Sequence, residues 1–297
     1  NPRWTYGADD MAQARRQNNA TILADGTVLI TGGTSGSNND PAFAVTTAEI
    51  WDPVTEQVTQ VAAASNIYRG YHSTAVLLPD GSVLVAGGEH NHNNSGPFVQ
   101  NYDAEIYEPA YMHNGPRPTI TDAPETVRYG ETFFVETPDA ANIARALIVV
   151  PGAVTHSQDW SQRANRMDVT EVTGGVEITL TSNSNEAPPG NYMLFIIDDN
   201  GIPSVAEFFK AEFGQPGDFN LDGNVDGLDY LAWQTDPTVG SLSDWEANYG
   251  TSTPVSTVPE PSSLVITLSL LSVLNVFSAR YRRDLIKLRI SPRTSVI

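Results

Sequence analysis

An internal repeat limits the possible folds of this chain more than any other feature of its sequence. Residues 20–33 read ATILADGTVLITGG and residues 75–88 read AVLLPDGSVLVAGG, which is an offset of 55 residues. The segment AEIWDP at 48–53 matches AEIYEP at 104–109 in the same order. Self-similarity at a fixed period of this size is typical of solenoids and propellers. The chain is therefore predicted to contain two copies of one supersecondary unit.

Each repeat predicts antiparallel strands around tight turns. A short apolar strand meets Asp-Gly, where glycine tolerates a positive φ, and a second apolar strand ends at Gly-Gly. The AEI(W/Y) strand follows a polar loop and ends before proline. This pattern is typical of a kelch-type β-propeller blade, whose repeat is about 50 residues. We assign residues 1–113 to two such blades, which form a partial propeller.

Two blades do not close a propeller ring, which usually needs about four to eight. We therefore expect the chain to be the C-terminal piece of a longer protein or a degenerate remnant of one. The alternative is a free-standing open array, which would leave strand edges and apolar faces exposed.

Charge and cysteine content exclude several classes of function. The chain of 297 residues has a formal net charge of −19 and no cysteine. A broad basic surface for nucleic acid is therefore excluded. Disulfides, cysteine-ligated metal centres and thiol nucleophiles are excluded as well.

Residues 117–211 change character, because the repeats stop and short strands alternate with turn sequences. The turns include PPG at 188–190 and DNG at 199–201. About ninety residues of this pattern favour an immunoglobulin-like β-sandwich, and the class predicted for the ordered body is all-β. The predicted strands are 132–136, 146–150, 176–181, 191–197 and 205–209.

Residues 215–250 predict a small α-helical calcium module. Oxygen-bearing side chains occupy loop positions 1, 3, 5, 9 and 12, a glycine occupies position 6, and an asparagine at position 7 offers its carbonyl. This is the spacing of an EF-hand-type loop, with Asp in place of the usual final Glu. The alternative is a solvated acidic turn. The predicted ligands are Asp218, Asn220, Asp222, Asn224, Asp226 and Asp229.

The C-terminal part is predicted to contain a membrane-spanning helix followed by a basic tail. A Thr/Ser/Pro linker at 251–263 leads into the uncharged stretch 261–279, whose nineteen residues barely cross about 30 Å of hydrocarbon as a helix. Residues 280–297 carry a net charge of +5, so the rest of the chain carries −24. Arginines directly after the apolar helix would stay on the cytoplasmic side. The alternative is a buried core helix.

Six short motifs in the blades and the sandwich also form a recognisable set. They are RGYHS at 69–73, LPDG at 78–81, THS at 155–157, QR at 162–163, PGNYMLF at 189–195 and GIPSVA at 201–206. The combination resembles the C-terminal part of galactose oxidase and glyoxal oxidase, the copper radical oxidases, over residues 12–211. The chain resembles the last two blades of that family's propeller, followed by its early-set sandwich domain.

The resemblance implies a copper site with three ligands in this chain. It matches Tyr71 and His72 to a ligand pair at the start of the last blade, and His156 to a ligand on a sandwich loop. It also implies that Tyr71 takes the hydroxyl proton of the substrate. Neutral imidazoles with a phenolate suit tetragonal Cu(II), and a bound phenolate is a plausible general base. The alternative is that the three residues are relics or packed polar residues.

The chain lacks the part of the family's site that carries the cysteine-linked redox tyrosine. The family's redox tyrosine is cross-linked to a cysteine of earlier blades, and this chain has no cysteine. The first repeat carries Arg16 and Gln17 where the second carries Tyr71 and His72. We therefore expect no oxidase reaction from this chain alone. The remaining histidines, His90, His92 and His113, are interpreted as solvated loop residues.

Two further resemblances concern the C-terminal half. Residues 215–250 resemble a dockerin type I module with one intact calcium loop, so binding to a cohesin partner is doubtful. The sequence VPEP at 258–261, the apolar run and the arginines at 258–283 are similar to a PEP-CTERM sorting signal, which an exosortase cuts. The basic tail 284–297 departs from that signal. The resemblance implies an exported bacterial protein, extracellular or at the cell surface, transiently anchored by its C-terminal segment.

Two functions are compatible with these features. The first is a copper radical oxidase homologue that, at full length, oxidises a primary alcohol or an aldehyde with O2 and forms H2O2. The second is a non-catalytic extracellular protein that binds or scaffolds polysaccharide. Partners are therefore a small alcohol, aldehyde or carbohydrate substrate, or an extracellular polysaccharide, and no nucleic acid.

Overall fold

The computed structural model describes residues 9–36, 39–91, 97–220 and 222–252. The chain divides into two compact units, Asn1–Gly250 and Thr251–Ile297, and nearly all described residues belong to the first. The predicted C-terminal helix, the sorting signal at 258–283 and the tail at 284–297 lie outside the described residues. Within the described ranges, no helix has the length and apolar character needed to cross a membrane.

The first repeat forms a four-stranded antiparallel sheet in which each strand pairs with the next. The Asp25-Gly26 turn joins the first two strands, with Gly26 at φ +90°. The Asp25 carboxylate accepts hydrogen bonds from the backbone and the hydroxyl of Thr27. The strands are β1 Asn19–Ile22, β2 Val28–Thr31, β3 Thr47–Trp51 and β4 Val58–Ala64.

The second repeat forms a three-stranded antiparallel sheet and a two-stranded hairpin. The strand pairing of the first repeat recurs, because β5, β6 and β9 correspond to β1, β2 and β3. The Asp80-Gly81 turn also recurs, with Gly81 at φ +86°. The strands are β5 Ser73–Leu77, β6 Val83–Gly87, β7 Glu89–His90, β8 Val99–Gln100 and β9 Ala104–Tyr107.

The glycine pair after β2 permits close contact between the two repeats. Gly33 N donates to Arg69 O at 2.8 Å. A Cβ on Gly32 would lie 2.0 Å from the same carbonyl, so any side chain there would push the second repeat away. Gly32 also has φ +67°, which L side chains rarely adopt. The close approach of the Arg69 backbone therefore explains why the first repeat has Gly-Gly at this position.

A buried arginine occupies the entry of each repeat. In the first, Arg15 pairs with Glu49 on β3, and both side chains are fully buried. In the second, Arg69 pairs with Glu105 on β9 at 2.9 Å, and it also donates to the carbonyl oxygens of Gly87 and Asp103. The entry loop of each repeat is therefore fastened to its third strand by an ion pair.

Residues 117–211 form a sandwich of a five-stranded and a three-stranded sheet, with strand orders β10-β19-β18-β12-β15 and β11-β17-β16. The predicted strands are all present, with ends shifted by up to three residues. The short hairpin β13–β14 was not predicted. The strands are β10 Thr126–Arg128, β11 Thr132–Glu136, β12 Ile143–Val149, β13 Val154–Thr155, β14 Gln158–Asp159, β15 Ala164–Met167, β16 Val169–Val172, β17 Gly175–Thr179, β18 Gly190–Asp198 and β19 Glu207–Glu212.

Two hydrophobic clusters hold this body together. One lies between the two sheets of the sandwich and includes Phe133, Ile148 and Tyr192. The other joins the blades to the sandwich and is formed by Leu23, Leu29, Leu77, Val83, Leu147, Met193 and Phe195, among others. Polar contacts reinforce the junction, because the Arg117 side chain donates to the carbonyl oxygens of Asp80, Pro203 and Ser204. The blades and the sandwich thus share a core.

Residues 215–250 contain two short helices, α1 Gly227–Thr235 and α2 Leu242–Asn248. The sequence also predicts an apolar helix face at Leu228, Leu231, Ala232 and Trp233 that packs against residues 244–250. Leu228 and Leu231 are instead 57% and 56% exposed. Trp245 of the predicted partner segment packs on the ring of Tyr230 and donates to the carbonyl oxygen of Asp226. Short 3-10 turns occur at Pro41–Phe43, Ala110–Met112, Ala140–Asn142 and Pro237–Val239.

Candidate metal site at the junction of the last blade and the sandwich

The loop that enters β5 presents Tyr71 and His72. Ser73 N donates to Gly70 O at 3.0 Å, which closes a tight turn, and His72 lies at φ +62°. A positive φ is uncommon for residues other than glycine. Gln17, at the matching position of the first repeat, has φ +57°. The left-handed turn is therefore a property of the repeat, which the last blade uses to present a histidine.

His156 comes from the sandwich, at the tip of the β13–β14 hairpin. Thr155 pairs with Gln158, so the two-residue turn consists of His156 and Ser157 at φ +55° and +61°. Two positive φ values in a two-residue hairpin are typical of a type I′ turn. Ser157 is buried and its hydroxyl donates to Gly70 O at 3.1 Å. This bond docks the hairpin on the loop that carries Tyr71.

A second contact fixes the base of the same hairpin on the first blade. The Gln162 side chain accepts from Ile22 N at 2.7 Å and donates to Ala20 O at 2.9 Å. The side-chain amide of Gln162 thus bonds to one backbone N–H and one backbone C=O of β1, as a neighbouring strand would. The position of His156 is therefore set by both blades.

The structure brings the three residues predicted as copper ligands together. The rings of Tyr71 and His72 stack with centroids 3.9 Å apart. The ring of His156 meets His72 edge-on at 4.8 Å and Tyr71 at 5.7 Å. His72 and His156 are exposed and Tyr71 is half-buried. Two separate domains thus contribute to one cluster of aromatic donors that a solute can reach.

The hydrogen bonds at the two imidazoles bear on the nitrogen that a metal would use. His72 Nδ1 lies 3.1 Å from Glu89 Oε1, and His156 Nδ1 lies 2.8 Å from Thr155 Oγ1. Both contacts engage Nδ1. In a neutral imidazole one nitrogen is a donor and the other an acceptor, and the Glu89 carboxylate can only accept, so the bonded Nδ1–H of His72 leaves Nε2 as the ligand atom. The Thr155 hydroxyl can donate or accept, so its contact does not by itself set the tautomer of His156.

The donor set fits copper. Two neutral imidazoles and a phenolate oxygen suit a tetragonal Cu(II) centre. With metal–nitrogen bonds of about 2 Å, two imidazoles at right angles on one ion would have centroids about 4 to 5 Å apart. The observed separation of 4.8 Å agrees with that arrangement. In the described part of the chain, no three His, Asp or Glu side chains are grouped to hold a metal, so tyrosine is the third candidate donor.

Other predicted assignments can be located as well. Arg16, the counterpart of Tyr71 in the first blade, donates from Nε to Gly36 O within that blade. His90 contacts the Tyr68 ring edge-on, and His113 Nε2 lies 3.0 Å from Glu108 Oε2. His92 lies outside the described residues. Sequence reasoning missed Glu89, although a carboxylate directly after the second Gly-Gly, where the first repeat has Thr34, was a usable signal.

The predicted calcium loop has a tight backbone in which its carboxylates bind backbone amides. Asp218 accepts from the amides of Asp222 and Gly223, and Asp229 accepts from those of Phe219, Asn220 and Asp226. Gly223 has φ +89°. Asp218 and Asp229 are buried, and desolvation raises the pKa of Asp218. The structure thus places two buried carboxyls within one loop, and calcium binding there stays a prediction.

Comparison with protein families finds two matches that together span the blades and the sandwich. A family described as "Glyoxal oxidase N-terminus" matches residues 1–111. A family described as "Galactose oxidase-like, Early set domain" matches residues 117–211. The first match ends at residue 111 and the second begins at residue 117.

Individual relatives agree with these matches. The chain is 32% identical over 220 residues to a galactose oxidase of Gibberella zeae, which covers 71% of this chain and 31% of the relative. It is 31% identical over 235 residues to aldehyde oxidase GLOX1 of Arabidopsis thaliana, with 70% of this chain and 37% of the relative covered. The chain therefore spans about a third of the length of these relatives.

A solved structure shows the same fold. It is described as a fungal alcohol oxidase with catalytic diversity among the AA5 family, in complex with copper. The TM-score is 0.63 at 25% identity, and the match covers 69% of this chain and 44% of that chain.

Proposed function

The chain is homologous to galactose oxidase, and on this premise we propose that it is the C-terminal part of a copper oxidase in which Tyr71, His72 and His156 hold the metal. One observation carries the proposal. The His156 ring of the sandwich hairpin lies 4.8 Å from the His72 ring and 5.7 Å from the Tyr71 ring of the blade loop, although His156 is far from both in sequence. The pairing of His72 Nδ1 with the Glu89 carboxylate, which leaves Nε2 of His72 for a metal, adds to this support.

In this proposal each residue has a defined role. His72 and His156 would hold copper through Nε2, and Tyr71 would hold it through its phenolate oxygen. Tyr71 Oη would also take the hydroxyl proton of the substrate, because a phenolate next to the alcohol is a competent general base. Copper, when bound, would accept one of the two electrons that leave the alcohol. The other requires a partner such as the cysteine-linked tyrosine of the family, and this chain has no cysteine.

The proposed overall reaction is the oxidation of a primary alcohol or an aldehyde, coupled to two-electron reduction of O2 to H2O2. The relatives are described as galactose, aldehyde and alcohol oxidases, which supports this class of substrate. We infer that this chain alone is inactive and that further blades of a full-length protein complete the site.

The proposal is tested on the copper-loaded full-length gene product. We expect H2O2 formation from at least one member of a panel of primary alcohols and aldehydes, measured with a peroxidase-coupled assay. Tyr71→Phe removes the proton acceptor and is expected to lower kcat by 10²-fold or more, within the range of about 10² to 10⁴ for general base catalysis. Copper-loaded protein that forms no peroxide from any member of the panel would contradict the oxidase function.

A non-catalytic extracellular role is the second candidate. The absent cysteine favours it, because the radical half of the family's site is not in this chain. In this case the blades and the sandwich would bind or scaffold polysaccharide at the cell surface. Stoichiometric copper together with peroxide production in the experiment above would rule it out.

We also propose that the 215–250 module binds calcium. The support is the ligand spacing and the sharp turn at Gly223. Burial, and after it the charges of Asp229 and Asp222, raises the pKa of Asp218. Because the folded-state pKa of Asp218 is raised, the contribution of this carboxyl to the stability of the metal-free module is fully present below its unfolded-state pKa. That contribution is lost as the pH rises through the folded-state value. A bound cation would offset this loss at neutral pH.

Calcium is therefore expected to stabilise the module at neutral pH. Ca²⁺ at a hundred times its Kd adds about 2.7 kcal/mol to the free energy of unfolding. Asp218→Asn is expected to abolish the calcium-dependent rise in Tm, whereas Glu246→Gln, an equal charge change on exposed α2, is expected to preserve it. Thermal melts with Ca²⁺ and with chelator measure both. An equal calcium response in wild type and Asp218→Asn would refute the site.

The C-terminal part completes the proposal. The signal-like sequence at 258–283 would anchor the exported protein transiently in the membrane until an exosortase cuts it. The protein would then act outside the cell or at its surface. Detection of the chain in the culture medium without residues 258–297 would support this.

A further inference from the structure

We propose that Glu89 is a positioning residue for copper ligation. It accepts a hydrogen bond from Nδ1–H of His72 and thereby holds the ring in the tautomer whose Nε2 can bind the metal. The inference rests on the proposed copper function of Tyr71, His72 and His156.

Glu89 is placed by three contacts, two made by its carboxylate and one by its backbone amide. Its Oε1 lies 3.1 Å from His72 Nδ1, and its Oε2 accepts from Gln100 Nε2 at 2.6 Å. Its backbone amide donates to Tyr71 O at 2.9 Å. The Glu89 side chain is 11% exposed, so few waters compete for it. One residue therefore fixes the backbone of the proposed phenolate ligand and the ring of the neighbouring imidazole ligand.

The chemistry of imidazole makes such a partner effective. Both nitrogens of a neutral histidine can carry the single proton, and only the unprotonated one can bind a metal. A carboxylate at Nδ1 selects the Nδ1–H tautomer, restricts ring rotation and raises the basicity of Nε2. Such outer partners typically contribute about 10- to 100-fold to metal affinity.

The first repeat shows that the pair is not a requirement of the blade fold. Its matching positions carry Gln17 and Thr34, yet the turn at Gln17 has the same left-handed backbone as the turn at His72. The turn therefore forms without a carboxylate partner. The Glu89–His72 pair occurs only in the repeat that supplies proposed ligands, which is what a role at the metal requires.

The first experiment is a competitive Cu(II) titration of this chain. Glu89→Ala is expected to raise the Kd about 10- to 100-fold. Glu89→Gln keeps an acceptor for Nδ1–H and is expected to recover most of that loss. Gln100→Ala removes the hydrogen bond to Glu89 Oε2 at an exposed position, and is expected to raise the Kd less than Glu89→Ala does. Glu108→Gln alters the exposed Glu108–His113 pair and serves as the control with a wild-type Kd.

The second experiment needs no copper. Long-range 1H–15N NMR of the metal-free chain at pH 8 reports the tautomer of each histidine. His72 is expected as the Nδ1–H form in wild type, with the Nε2–H form appearing in Glu89→Ala. Because Gln100→Ala is an exposed change, it provides the same readout if Glu89→Ala does not fold.

The outcomes separate the two proposals. If His72→Ala binds Cu(II) as tightly as wild type, the proposed copper site is wrong, and Glu89 has no metal to serve. If His72→Ala loses binding while folded Glu89→Ala and Gln100→Ala both keep the wild-type Kd and tautomer, the positioning role is overturned. A raised Kd with a shifted tautomer supports it.

Discussion

Replacing His156 with alanine is expected to weaken Cu(II) binding by this chain more than about 100-fold, since loss of an outer partner alone costs 10- to 100-fold. His156 is the only proposed ligand from the sandwich, and its ring lies 4.8 Å from that of His72. The effect is measured by competitive titration with a chromophoric chelator.

A matched control distinguishes ligand loss from hairpin disruption. His156 is exposed and its neighbour Ser157 holds the hairpin on Gly70 O. Removal of the His156 ring is therefore expected to leave Tm nearly unchanged. Ser157→Ala removes the docking bond but no ligand, and is expected to lower the affinity less. A wild-type copper affinity in His156→Ala would show that the sandwich supplies no copper ligand.

Replacing Glu49 with alanine is expected to reduce the free energy of unfolding by about 3 to 5 kcal/mol. Both partners of the Arg15–Glu49 pair are fully buried. The second Glu49 oxygen accepts from Ala12 N at 2.6 Å. Without Glu49 a buried guanidinium charge has no counter-charge, and that is the costly state of a buried pair.

The second blade offers the control for this prediction. Glu105→Ala is expected to cost less, because Glu105 is 34% exposed and Arg69 keeps a second acidic partner in Asp103. Urea unfolding measures the free energy of unfolding of both variants, provided that the m-value does not change. A Glu49→Ala loss below 1 kcal/mol, or an equal loss in Glu105→Ala, would contradict the argument from burial.

Features encoded locally could be predicted from the sequence. The Asp-Gly turns and the paired apolar strands of both repeats are present, because turn chemistry and strand periodicity act over a few residues. The strands of the sandwich were found for the same reason. The ligand set Tyr71, His72 and His156 came from the resemblance, since spacing alone cannot bring together residues of two domains.

Features that depend on tertiary contacts were missed. The partner role of Glu89 depends on a blade loop folding back beside His72. The β13–β14 hairpin has little propensity of its own and is held by Ser157 and Gln162 on other elements. The segment 244–250 was predicted to pack on the helix, but its Trp245 contacts the ring of Tyr230, while Leu228 and Leu231 are exposed.

Electron paramagnetic resonance of this chain with one equivalent of Cu(II) tests the central claim most directly. The account predicts a tetragonal spectrum with strong coupling to two imidazole nitrogens, those of His72 and His156. It also predicts that this spectrum disappears in the His72→Ala/His156→Ala double variant. A spectrum without nitrogen coupling, or one that is unchanged in the double variant, would contradict the assignment of copper to this junction.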